Sequence, residues 1–205
     1  MIAFDLPIMP GKIADGLVLD LSGEILVLAG KSRGRVFSPV TASWAGVPGA
    51  ILCELALHRG VVLTGKQVSP VSNYMIENEL FGTIVQSIQD LSRPQDIMFW
   101  LRQLQWSSAS ITHFILERIT RAGEMETQEE VLKQRIVDFS TATDSMDART
   151  ATLIALVGAC GLTNKIVPEK DRAIIRSNAR QILDTHFPEI STIIKELELL
   201  IARFG

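Results

Sequence analysis

Two cysteines in 205 residues, Cys53 and Cys160, make neither a zinc site nor a disulfide framework. Both sit in apolar, helix-like stretches, where a thiol packs as a small buried hydrophobe, so a reducing, cytoplasmic setting is expected. An excess of one charge is also missing: 20 Lys and Arg stand against 23 Asp and Glu, a formal −3. A protein that grips duplex nucleic acid through its overall field is basic, so nucleic acid is not an expected partner. Long apolar runs are absent too. The uncharged stretch 150–163 is too short to cross a bilayer, and 36–53 is broken by Pro39, Pro48 and several Gly and Ser. The first ten residues lack a basic opening region and carry Asp5, Pro7 and Pro10, which does not fit a signal peptide.

What the chain has in quantity is apolar side chain. Hydrophobic residues make up 47% against 21% charged, with a mean hydropathy of +0.24. Such a chain buries a core rather than staying disordered. The expected organisation is an N-terminal tail over 1–12 and one domain over 13–205.

Periodicity makes that domain mainly α. Leu17–Ala29 packs Leu, Val and Ile so densely that helix and strand cannot be told apart by period. A turn is expected at Gly30–Gly34, then a loop containing Pro39 and Pro48. A short helix should run over Gly49–His58 and stop at Gly60. Residues 61–68 read as a β-hairpin, β-branched on either side of Thr64-Gly65. Asn73 is the expected cap of a helix to Asp90, in which Ile76, Leu80, Ile84 and Ile88 recur every four residues. Pro94 opens the next helix, running through Trp100 to Gln105. Ile111, Phe114, Ile115, Leu116 and Ile119 line another, closed by Gly123, and Val131, Ile136, Val137 and Phe139 mark a fourth, from about Val131. Met146–Leu162, the most apolar stretch, is expected at the buried centre. Two amphipathic helices follow on either side of Pro188.

Catalytic and metal-binding patterns are thin. Gly30-Lys31-Ser32 imitates the end of a phosphate-binding loop, but Ile25 stands where its first glycine is needed, so a surface turn is expected. His113 and Glu117 lie one helical turn apart without an evident third ligand, and His58 and His186 are distant. Asp144 and Asp147 precede an apolar helix, as capping residues do. No G-x-S-x-G elbow occurs. The expectation is a non-enzymatic protein without cofactor or metal. The basic residues Lys31, Arg33 and Arg35, with Trp44 nearby, have the makings of an anionic-headgroup contact: cations for the phosphates and an indole for the interface. Glu124, Glu126, Glu129 and Glu130 form an acidic run that an anionic surface repels.

Several strings, in order, resemble the Golgi phosphoprotein 3 family, peripheral membrane adaptors that bind phosphatidylinositol 4-phosphate. They are Glu24-Ile25-Leu26-Val27-Leu28, the Glu54-Leu55-Ala56-Leu57 helix with its following hairpin, and Met75-Ile76-Glu77-Asn78-Glu79-Leu80. Trp100, Leu116-Glu117-Arg118 to Gly123, and Asp147-Ala148-Arg149 with Leu153-Ile154-Ala155-Leu156 continue the match, which spans about 17–183. The resemblance implies a helical bundle ringed by amphipathic helices. It also implies a lipid site made of a loop Trp, an Arg ahead of the Glu-Leu-Ala-Leu helix and two cations on the helix ending near Gly123. Those places fall here at Pro39 or Val40, Pro48, Ala109 and Thr112, so none is matched, and His113 is only adjacent. The family's projecting hairpin would follow Gly123, where this chain is short and acidic. The resemblance therefore leads to a weak anionic-lipid contact through Lys31, Arg33, Arg35 and Trp44. The alternative is a protein-interaction module on the same scaffold that has lost lipid binding.

Overall fold

The computed structural model describes residues 19–30, 41–72, 78–122, 125–139 and 147–204. It is mainly α. The ambiguous opening segment is a helix, α1 (Leu21–Ala29), and all nine of its residues are buried. Asp20 starts it by accepting from the Gly23 N–H at 2.9 Å. Total burial explains the missing period, because a helix packed on every side has no polar face to mark its repeat.

The second helix corrects the expected loop. The chain is helical from Thr41 onward, first as a π-turn (Ala42–Gly46) and then as α2 (Val47–Leu57). Pro48 sits inside this continuous run. Its ring would press on the carbonyl four residues back, that of Trp44. The backbone widens there: the Val47 N–H bonds the Ala42 carbonyl, five residues back. A proline that reads as a helix breaker is thus absorbed by one π-turn. Gly46 and Gly49 let this run approach its neighbours. A methyl group on Gly46 would fall 2.6 Å from Cys160 Sγ, and one on Gly49 would fall 2.5 Å from Leu197 Cδ2.

The hairpin forms as β1 (Val61–Thr64) and β2 (Gln67–Pro70), antiparallel, with Val61 opposite Pro70 and Thr64 opposite Gln67. Gly65 holds the turn at φ +62°. Gln95–Asp96 adds a third antiparallel strand, β3, beside β2, too short for a pattern to announce it.

The remaining helices are α3 (Glu79–Gln89), α4 (Ile97–Trp106), α5 (Ser108–Ala122), α6 (Met125–Asp138), α7 (Ala148–Ala159), α8 (Thr163–Ile166), α9 (Arg172–His186) and α10 (Pro188–Phe204). Three boundaries differ from expectation. Helix α4 begins at Ile97, capped by Asp96, rather than at Pro94. Asn73 and Ile76 lie outside the described residues, and α3 is capped by Asn78, whose side chain accepts from the Leu80 N–H. The stripe's other members, Leu80, Ile84 and Ile88, are all buried as expected. The fourth apolar helix, α6, begins at Met125 rather than near Val131, so Glu126, Glu129 and Glu130 are helical. Val131 is 56% exposed, and Leu132 turns inward in its place, beside the expected Ile136 and Phe139, which are buried. Because α5 ends at Ala122, only residues 123 and 124 separate the two helices, too few for a projecting hairpin.

The centre is also placed differently. Helices α1 and α2 pack on each other and on α7, and α10 packs across α2, α4 and α7. All of α1, and α2 as far as Leu55, is surrounded, while α7 leaves Ala155, Gly158 and Ala159 partly open. Trp100, Leu26, Ile51, Leu52 and Ile84 are among the largest fully buried side chains. Each contributes on the order of 2 kcal/mol through area removed from water. Both thiols are buried as expected. Burial pushes the Cys160 thiol up to about 12, and it raises that of Cys53 as well.

Candidate functional site

Of the four residues expected to meet headgroups, Lys31, Arg33 and Arg35 lie outside the described residues. Their segment is bracketed by two described ends: Gly30, which closes α1 with its N–H on the Leu26 and Val27 carbonyls, and Thr41, which opens the helical run to α2. Trp44 stands on the π-turn and is half-buried, packed against the core. The π-turn packs on α1, α4 and α5. A second indole belongs to this part of the molecule. Trp106 ends α4 at its corner with α5 and is 71% exposed. Periodicity carried the signal for it: Ile97, Trp100, Leu101 and Leu104 make the inward stripe of α4, and Trp106 falls off it.

The positions corresponding to the family's lipid site hold no cation. Pro48 is buried within the first turn of α2. Ala109 and His113 are exposed on α5. Thr112 is partly buried there, and its hydroxyl oxygen is buried without a hydrogen-bond partner among the described residues. Glu117, the other half of the metal-spaced pair, bonds Arg121 one turn on. Among the described residues, no group of three or more His, Cys, Asp or Glu is placed to hold a metal ion. Asp147 caps α7 as expected, accepting from the Arg149 N–H at 3.0 Å, and Asp144 lies outside the described residues. In the acidic run, Glu129 and Glu130 share Lys133 at 2.7 and 3.1 Å, and the hydrogen bond that Lys133 donates to Glu129 is the main cause that holds its ammonium above the usual range.

The densest polar constellation was not singled out from sequence. Glu24 on α1 and Glu54 on α2 are both buried at 4% exposure. Arg149 reaches between them from the first turn of α7, with Nη1 2.6 Å from Glu54 Oε1 and Nη2 3.3 Å from Glu24 Oε1. It also donates to the Leu19 carbonyl at 2.7 Å. Arg135, from α6, forks onto Glu24 at 3.1 and 2.9 Å. The second oxygen of Glu54 accepts the Leu21 N–H at 2.8 Å, satisfying an otherwise open donor at the start of α1. His58 Nε2 lies 2.9 Å from Glu54 Oε1. Burial opposes the charge on Arg149, yet Glu24 and Glu54 outweigh it and hold the guanidinium above its ordinary pKa. The signal for this cluster is a glutamate inside an otherwise apolar run, twice: Glu24 in EILVL and Glu54 in ILCELAL. A carboxylate in such a run needs a buried partner, because an unpaired one costs several kcal/mol, roughly, to remove from water.

This arrangement binds four helices together, and both carboxylates are occupied by the arginines, His58 and the Leu21 N–H, while Arg135 Nε is buried without a hydrogen-bond partner among the described residues. Its ion pairs hold α1, α2, α6 and α7 in register. Among the described residues no helix is long and apolar enough to cross a membrane. A search among curated proteins found no match. The family model described as Golgi phosphoprotein 3 (GPP34) matches residues 21–197, from the start of α1 into α10, which takes in Glu24, Glu54, Arg135 and Arg149. Such a match supports an adaptor-like role. The chain belongs to the Golgi phosphoprotein 3 family.

Proposed function

We propose that this protein is a non-enzymatic peripheral membrane protein that contacts anionic lipid headgroups weakly and reversibly. Phosphatidylinositol 4-phosphate is the headgroup that the family resemblance puts forward. Lys31, Arg33 and Arg35 supply the cations and Trp44 the interfacial indole, on the cytoplasmic side of a membrane. The observation that carries this reading is the position of Trp44: half-buried on the π-turn, close after the basic segment. The exposed Trp106, on a helix packed against the same turn, adds a second amphipathic ring of the kind that settles at headgroup level. Each cation near an anionic surface contributes about 1 kcal/mol, so three give a salt-sensitive attachment rather than an anchor.

Vesicle co-sedimentation tests it, comparing neutral vesicles, anionic vesicles and anionic vesicles with phosphatidylinositol 4-phosphate at low and high salt. Binding to anionic vesicles at low salt, reduced by replacing Lys31, Arg33 and Arg35 together with Ala, is the expected result. Equal binding by that triple variant removes the site. Absence of binding at low salt removes the function.

The second reading, a protein-interaction module that has lost lipid binding, is favoured by Pro48, Ala109 and Thr112. The first is buried in α2, and none of the three offers a charge where the family's site has one. Recovery of a stoichiometric protein partner, together with failure to bind vesicles, selects this reading.

A further inference from the structure

Helices α7, α9 and α10 enclose a cleft of about 310 Å³, and its chemistry is unlike that of the lipid contact. The floor is built by small residues. Ala155 and Gly158, one turn apart on α7, leave space that Leu183 of α9 and Ile194 of α10 line with apolar surface. Around the mouth stand three cations, Arg176 and Arg180 one turn apart on α9 and Lys195 on α10. Two of them are paired. Arg180 gives Nη2 to both oxygens of Glu198 at 2.9 and 3.0 Å, and Lys195 meets Asp184 at 2.8 Å.

Arg176 is left over. It has no ion pair or hydrogen bond among the described residues, and its side chain lies against α7: a methyl group on Gly158 would fall 3.6 Å from its Nε. The rim therefore presents one uncompensated guanidinium beside an apolar hollow. A guanidinium fork matches a single carboxylate in two parallel hydrogen bonds. A dianion is less suited, because with Arg180 and Lys195 paired the rim offers a single net positive charge to meet it. The volume lies at the small end of ligand pockets, enough for a carboxylate with a short apolar body.

We propose that this cleft is a binding site for a small amphipathic carboxylate. The acid group takes Arg176, with Ser177 beside it, and the apolar body covers Ala155, Leu183 and Ile194. The site stands on elements other than those that carry Trp44 and Trp106, and it does not depend on membrane binding.

Amide-resolved NMR titration of the full chain tests it, using benzoate and hexanoate as probes, benzyl alcohol as the uncharged analogue and inorganic phosphate as the competing anion. The expected result is a saturable shift of the Gly158 and Ser177 amides with both carboxylates. Arg176→Gln, at an exposed position, should weaken binding at least about tenfold, or ~1.4 kcal/mol. Ala155→Leu should abolish it by filling the floor. Benzyl alcohol should bind about as weakly as benzoate binds the Arg176→Gln protein. Absence of a saturable shift with either carboxylate overturns the site, and unchanged affinity in Arg176→Gln overturns the role of that residue. Phosphate moving the same amides while the carboxylates do not overturns the ligand class.

Discussion

The N-terminal end of α7 and its opposite half both meet arginines and glutamates, under opposite conditions. At Arg149 the partner carboxylates are 5% exposed, and the guanidinium reaches two other helices and a backbone carbonyl. Beside Gly158 the pairs Arg180–Glu198 and Lys195–Asp184 are 39–60% exposed, and Arg176 has no partner among the described residues. The same residue types therefore do different work. Where water is excluded, every charge must find a partner, and the pairing dictates where four helices sit. Where water remains, a charge is free to be left over, and a leftover charge beside a hollow can serve a ligand.

The contrast breaks most visibly at Arg149. Arg149→Met leaves Glu54 buried with only His58 and the Leu21 N–H, and it should cost about 3 kcal/mol or more in urea unfolding. A smaller loss would mean that water reaches these carboxylates and that the two ends of α7 are alike. Arg135→Met is a milder version, since Arg149 still faces Glu24. The loss of two charge-assisted hydrogen bonds should cost roughly 1.5–3 kcal/mol. Combining it with Arg149→Met should give a coupling well away from additivity, because both arginines share Glu24.

The smallest effect belongs to the open rim. Asp184→Asn should change stability by less than ~1 kcal/mol, as exposed ion pairs do. Its pH dependence has a definite sign. Hydrogen bonds from Lys195 and then Ser191 hold the Asp184 carboxyl below its ordinary value of 3.8. That contribution is present above the unfolded carboxyl's pKa and lost as pH falls through the folded one. Thermal melts of the two proteins should therefore differ at neutral pH and converge on acidification. A gap that persists in acid would show that the contribution of Asp184 is not electrostatic.

Legibility followed solvent contact. The stripes of α3, α5 and α10 were readable because each of these helices keeps a wet face that marks the repeat. Helix α1 was not, since all of its residues are buried and nothing alternates. Pro48 misled for a related reason. Its cost to a helix is local and visible in sequence, whereas the π-turn that absorbs it depends on packing against α1, α4 and α5. For the candidate lipid contact, the sequence supplied residue types and a family frame. The structure added the half-burial of Trp44 and the exposure of Trp106.

What the sequence determined by itself is what depends on neighbours along the chain: helical periods, the Gly65 hairpin, the Asp147 cap and the ordered strings that mark the family. The tertiary structure alone decided which charges meet. Glu24 lies 111 residues from Arg135 and 125 from Arg149, and Glu54 lies 95 from Arg149. No local propensity links such distances. The pairing follows from helix packing, which leaves a buried carboxylate no other means of keeping its charge out of water.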